Sequence, residues 1–143
     1  MESTRLRWAA PVALLALAAC RSDKPEDLVK AAFDQMVKAV EAGDAAGATE
    51  LLDPSFKGPE GLDKPSARLY LMGVLRQGKV GVTVLENRVR LEGREVDQTV
   101  GLVLTQKGGG LLPDASRRNY LLRWKARKGD WLLVEVQELG AQP

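Results

Sequence analysis

The chain contains no histidine and a single cysteine, Cys20. The first absence excludes Ser-His-Asp and Cys-His catalysis, histidine-ligated zinc and a histidine pH switch. The second excludes an internal disulfide and a cysteine-rich metal site. Aromatic residues are scarce at 5%, and neither sign of charge prevails, with 21 basic against 19 acidic residues. So even a balance gives no electrostatic pull toward nucleic acid. No metal, cofactor or nucleic-acid partner is therefore expected. What is present is an ordinary globular composition, 45% hydrophobic and 28% charged over 143 residues, which suits one domain.

Arg5 and Arg7 precede an almost wholly apolar run from Trp8 to Ala19, broken by Pro11. The run is shorter than the roughly 20 apolar residues a membrane-spanning helix needs, and it has the length of a secretory signal's hydrophobic region. It ends in Leu17-Ala18-Ala19-Cys20. This resembles the lipobox of bacterial lipoproteins, a pattern of aliphatic, small, small and Cys, and the sole cysteine stands at the position that demands one. The resemblance implies that residues 1–19 are a cleaved signal peptide. It also implies that Cys20 becomes the acylated first residue and that residues 20–24 form a short linker. The membrane is then a partner through Cys20, since two or more acyl chains, at about 0.8 kcal/mol per buried CH₂, anchor a protein stably. Arg21 follows the cysteine where an Asp would favour retention in the inner membrane. By the same resemblance, the expected location is the bacterial cell envelope, at the periplasmic face of the outer membrane. The alternative is an ordinary secretory signal with a chance cysteine near its cleavage site.

Residues 25–139 read as one domain, helices first. Asp23 and Glu26 have capping-box spacing around Pro25, and Leu28, Ala32, Phe33, Met36, Val37 and Val40 make a helical stripe that stops at Gly43. Asp44 caps a second, short helix with Ala45, Ala48, Leu51 and Leu52 inward, ended by Asp53-Pro54. Residues 54–62 read as loop. Asp63-Lys64-Pro65 opens a third helix over about 65–77, which carries either Leu69, Met72 and Leu75 or Leu71 and Val74 inward.

From Lys79 the period changes to two. Val80, Val82 and Val84 alternate, and Leu85, Val89 and Leu91 hold the opposite parity, which predicts a bulge near Val84-Leu85-Glu86. Val96, Val100, Leu102 and Leu104 form a second strand, and Tyr120, Leu122, Trp124 and Ala126 a third. Lys128-Gly129-Asp130 turns into a fourth, with Leu132, Val134 and Val136 on one face and Trp131 and Leu133 on the other. The expected fold class is α+β: three N-terminal helices packed on a curved antiparallel sheet of about four strands.

This order resembles the nuclear transport factor 2-like superfamily, a cone-shaped cystatin-like fold. The resemblance is carried by Val40-Glu41-Ala42-Gly43-Asp44, by Leu51-Leu52-Asp53-Pro54, by the long strands, and by the closing Lys128-Gly129-Asp130-Trp131-Leu132-Leu133-Val134 hairpin. It implies a cone whose interior serves isomerases, dehydratases and cyclases in some members and non-catalytic binding in others. The missing histidine excludes the Asp-His versions. The expected role is non-catalytic: binding a small apolar ligand in the cone, or contacting an envelope protein. The alternatives are a small isomerase or dehydratase using Asp and Tyr, and a structural subunit of an envelope complex. A homodimer is also consistent with the resemblance.

The candidate ligand-binding residues are Phe33, Met36, Tyr70 and Trp124, the candidate lipidation site is Cys20, and no catalytic residue is assigned. Asp34 lies off the apolar stripe and is expected in solvent. Asp97 and Thr99, opposite Val96 and Val100, are also expected to be solvated. Gly108-Gly109-Gly110 lacks the Gly-Lys-Ser/Thr of a phosphate loop, but Leu111 and Leu112 behind it are candidates for a partner or lid loop. Arg117, Arg118, Arg123, Lys125, Arg127 and Lys128 crowd the third strand. They suit either anionic lipid headgroups or an acidic partner surface, or, as the balanced charge favours, a solvated face paired across strands to Glu135 and Gln137.

Overall fold

A computed structural model describes residues 23–106 and 117–140. The expectations for Cys20, Leu111 and Leu112 lie outside these residues. Pro25 opens α1 (Pro25–Glu41), where its missing N–H would have no partner in any case. Lys24 holds the capping position and its side chain does not cap the helix, so Asp23, expected to cap it, lies one residue too far upstream. Val29 and Phe33 are the buried residues of the helix. Leu28, expected in the stripe, is exposed, and so is Asp34. Gly43 takes φ 76°, the left-handed conformation that ends a helix without a Cβ penalty.

Asp44 caps α2 (Ala45–Thr49) by accepting a 2.9 Å hydrogen bond from the Gly47 N–H. The helix is shorter than expected. Leu51 and Leu52 do not continue it, and the chain extends instead into β1 (Leu52–Lys57), where a loop was expected. Leu52 and Phe56 are buried on this strand, and the Leu133 N–H donates to the Leu51 carbonyl at 2.8 Å. Pro54 was read as a breaker, but β1 is a sheet edge, where a proline's missing donor is tolerated. After a turn at Pro59–Gly61, Asp63 caps α3 (Lys64–Arg76) through the Ser66 N–H at 2.9 Å.

The remaining strands are β2 (Val80–Glu92), β3 (Glu95–Gln106), β4 (Arg117–Arg127) and β5 (Asp130–Leu139). They form an antiparallel meander, and β1 adds to β5 in parallel, giving the order β1-β5-β4-β3-β2. Where about four strands were expected, the described residues form five. The bulge expected in β2 is present: Val84 faces Leu102 and Glu86 faces Gly101, with Leu85 extra between them. A second bulge, in β5, was not expected. Arg123 faces Glu135 and Trp124 faces Leu133, so Val134 is the extra residue. It reverses the parity of the strand, and the core receives Leu133 and Val136 rather than the run Leu132, Val134 and Val136. Lys128 and Gly129, both at positive φ, make the two-residue β4–β5 turn.

The core lies between α1, β1 and the inner face of β3, β4 and β5. Val29, Phe33, Leu52, Phe56, Val96, Val100, Leu122, Trp124 and Leu133 make one cluster. One polar residue enters it. Gln98, 0% exposed, stands on the same face as Val96 and Val100. Its Oε1 accepts from Trp124 Nε1 at 2.9 Å and its Nε2 donates to Asn87 Oδ1 at 2.8 Å. Both ends of the buried amide are therefore satisfied, which removes most of the penalty of burying it.

Candidate functional site

No residue of α3 is buried, although Ala67 packs against the core cluster. The space beneath the helix is a cleft of about 560 Å³. Its floor and walls are apolar: Phe33, Met36, Val37 and Val40 from α1, Leu71 and Val74 from α3, Val80 and Val82 from β2, Leu102 and Leu104 from β3, and Val136 from β5. Of the two faces considered for the third helix, it is Leu71 and Val74 that turn toward the sheet. Leu69 is 67% exposed.

The polar residues of the cleft are Glu60, Tyr70, Arg118, Tyr120 and Glu138. Both tyrosines of the chain are among them. Arg118 Nη1 donates to Glu138 Oε1 at 2.9 Å, and this bond holds the guanidinium firmly charged. Tyr120 is half-buried; burial first, and the neighbouring Glu138 second, push its phenol above the usual range. Tyr120 is therefore a neutral hydrogen-bond donor at physiological pH. Among the described residues, neither tyrosine hydroxyl has a hydrogen-bond partner, although the Trp124 indole and the Gln98 amide deeper in the fold do.

Phe33, Met36 and Tyr70, chosen from the sequence, meet in this cleft. Trp124, chosen with them, does not line it. It is fully buried in the core behind the cleft, with its indole N–H committed to Gln98. Tyr120, Arg118 and Glu138 were not chosen, yet a signal existed: residues 118, 120, 122 and 124 share the parity that points β4 inward. Arg118 was grouped with the basic residues of its strand, and alternation separates it from them. The acids lining the cleft are Glu60 and Glu138, and no aspartate does so among the described residues. The Asp-and-Tyr chemistry considered from the sequence is not assembled there.

The other cations of β4 face outward and are neutralised across strands. Arg123 Nε lies 3.2 Å from Asp97 and 3.4 Å from Glu95, and its Nη1 lies 3.4 Å from Glu135. Lys125 reaches Glu95 at 3.1 Å, Arg117 reaches Glu86 at 2.9 Å, and Arg127 reaches Asp53 at 3.2 Å. Asp97, expected in solvent, is a partner in this lattice. Asp53 is buried, and its carboxyl is held below the usual range, first by the Ser55 hydroxyl and then by the Ser55 N–H, with Arg127 adding to them. Among the described residues no cluster of acids, cysteines or histidines could hold a metal ion, and no helix is long and apolar enough to cross a membrane.

A second, wider groove of about 1120 Å³ runs between α2 and α3, open to solvent. Pro54, Pro65, Leu69 and Met72 line it between the charged side chains of Asp44, Glu50, Lys64 and Arg68.

The helix order, the five-stranded sheet and the position of the cleft define the class of the fold: it is nuclear transport factor 2-like, also called cystatin-like. A nuclear transport factor 2-like protein from Cytophaga hutchinsonii superimposes with a TM-score of 0.62 at 18% identity, over 82% of this chain and 99% of that one. One with a cystatin-like fold from Novosphingobium aromaticivorans does so with a TM-score of 0.63 at 11% identity, over 78% and 79% of the two chains. A protein of unknown function from Mycobacterium tuberculosis gives 0.65 at 14% identity, over 80% of this chain and 70% of that one. No protein-family model and no curated protein sequence matches the chain. The likeness is one of fold.

Proposed function

We propose that this chain is a lipid-anchored protein of a bacterial cell envelope whose domain binds a small, mainly apolar ligand in the cleft beneath α3. The observation that carries the reading is the cleft itself: about 560 Å³, walled by apolar side chains from α1, α3 and the sheet. Ligand sites are commonly concave and apolar in this size range, with a few polar groups that fix orientation. The Leu17-Ala18-Ala19-Cys20 sequence supports the anchor, with outer-membrane placement following from Arg21. A second reading, docking of an envelope protein, is favoured by exposed Leu69 beside the α2–α3 groove.

Native mass spectrometry of the protein extracted gently from its envelope tests both parts. The expected spectrum shows an acylated chain beginning at Cys20 with a further small mass bound. Leu71→Trp fills the cleft from the half-buried side of α3. It should abolish the extra mass while circular dichroism stays unchanged, since overpacking of this kind costs about 1–3 kcal/mol and not the fold. An extra mass that survives Leu71→Trp places the ligand elsewhere. An unmodified Cys20 removes the anchor.

A further inference from the structure

The mouth of the cleft is unequal in what it offers a ligand. Glu138 is satisfied by Arg118, but Arg118 is not exhausted by Glu138. Among the described residues, one N–H of the guanidinium is used, and the fork carries further donors. The Tyr120 phenol, neutral and half-buried, and the Tyr70 phenol, 63% exposed, line the same cleft without partners among the described residues. Apart from these groups and Glu60 the lining is apolar, with Val74, Leu102 and Leu104 in it. The sheet's polar groups in the cleft thus stand on β4 and β5, with the aliphatic side chains of β2 and β3 beside them. A ligand that satisfies both sets has an acceptor head and an apolar body.

We propose that the cleft takes an amphipathic carboxylic acid, with its aliphatic body against Val74, Leu102 and Leu104 and its carboxylate held by Arg118 and the Tyr120 hydroxyl. This rests on the cleft being the ligand site. A guanidinium matches a carboxylate in two parallel bonds, and the phenol adds a third donor. Glu138 is the resting counter-ion. Its side chain is 44% exposed, so it can turn into solvent when a ligand carboxylate takes its place. The internal ion pair thus keeps the guanidinium neutralised while the cleft is empty and makes the head-group site competitive. A cationic head would pair with Glu60 or Glu138 and leave the guanidinium unused, and a neutral alcohol would leave the fork unanswered.

Isothermal titration of the domain with decanoate, decanol and decyltrimethylammonium decides the matter. Decanoate should bind about tenfold or more tighter than decanol, the size expected when charged hydrogen bonds are gained. Arg118→Gln should erase that advantage and leave decanol unchanged. Glu138→Gln should strengthen decanoate several-fold by removing its competitor, a gain that a misfolded variant cannot mimic. Equal binding of decanoate and decanol, or tighter binding of the ammonium, overturns the head-group assignment and leaves the apolar cleft standing. Binding of none of the three overturns the cleft as well.

Discussion

Asp53 shows how much a single side chain can tie together at the β1 edge of the sheet. It accepts from the hydroxyl and the N–H of Ser55 and from Arg127 Nε on β4. Because these donors hold its folded pKa below the ordinary 3.8, its contribution is complete above that value and is lost as pH falls through the lower, folded one. Ser55→Ala removes the leading donor. It should lower stability by about 0.5–1.5 kcal/mol at pH 7 and by progressively less in acid, where wild type loses the same bond. Urea titrations of both proteins between pH 7 and pH 2 check this; a difference that does not shrink in acid would assign the loss to something other than the carboxylate. None of it was legible from the sequence, where Asp53-Pro54 read as a helix stop. Gln98 was equally hidden, since the pattern registers Val96 and Val100 and passes over a polar residue between them. Only the coincidence of Asn87, Gln98 and Trp124 in space makes its burial favourable.

At the scale of elements, hydrophobic period located α1, β2, β3 and β4 because each has one buried face. It also located the β2 bulge, where two valine and leucine parities meet. It failed where something other than pattern decides. Pro54 disguised β1, whose place at the sheet edge is a tertiary fact. The β5 bulge inverted a face with no sign in residue type. α3 is the element that pattern leaves ambiguous, and the physical reason is that it is the least buried helix. It is fastened at its C-terminal end by Gln106, whose Nε2 donates to the Val74 carbonyl at 2.8 Å and to that of Gly78 at 3.3 Å. Gln106→Ala should speed amide hydrogen exchange across residues 64–76 several-fold while changing global stability little, by about 1 kcal/mol or less. Exchange mass spectrometry reads this directly. Unchanged protection of α3 would show that contacts with α2 and β1 suffice to hold it.

For the whole molecule, the two broad faces of the sheet carry separate duties. The inner face builds the core and the cleft. The outer face spreads Glu86, Glu95, Asp97 and Glu135 against Arg117, Arg123 and Lys125, so that its charges answer one another. The unacylated domain should accordingly bind anionic phosphatidylglycerol vesicles no better than neutral phosphatidylcholine ones at physiological salt, as vesicle sedimentation would reveal. Preferential anionic binding would mean the lattice opens at a membrane. The α+β class and the site of the helical stripe were legible because they follow from period and punctuation. The cleft was legible in part, through Phe33, Met36 and Tyr70. Its polar mouth was not, because β4 alternates two sets of cations whose roles differ only by which side of the sheet they face.

The parallel pairing of β1 with β5 also sets an order of events during biosynthesis. Leu52 and Leu133 are neighbours in the sheet, yet α3, β2, β3 and β4 lie between them along the chain. A chain made N-terminus first must carry Leu52 and Phe56 without their β5 neighbours until that strand emerges. The β1–β5 seam therefore closes only once β5 is made, and a chain arrested before β5 would present an unsealed edge to any protease or chaperone that meets it.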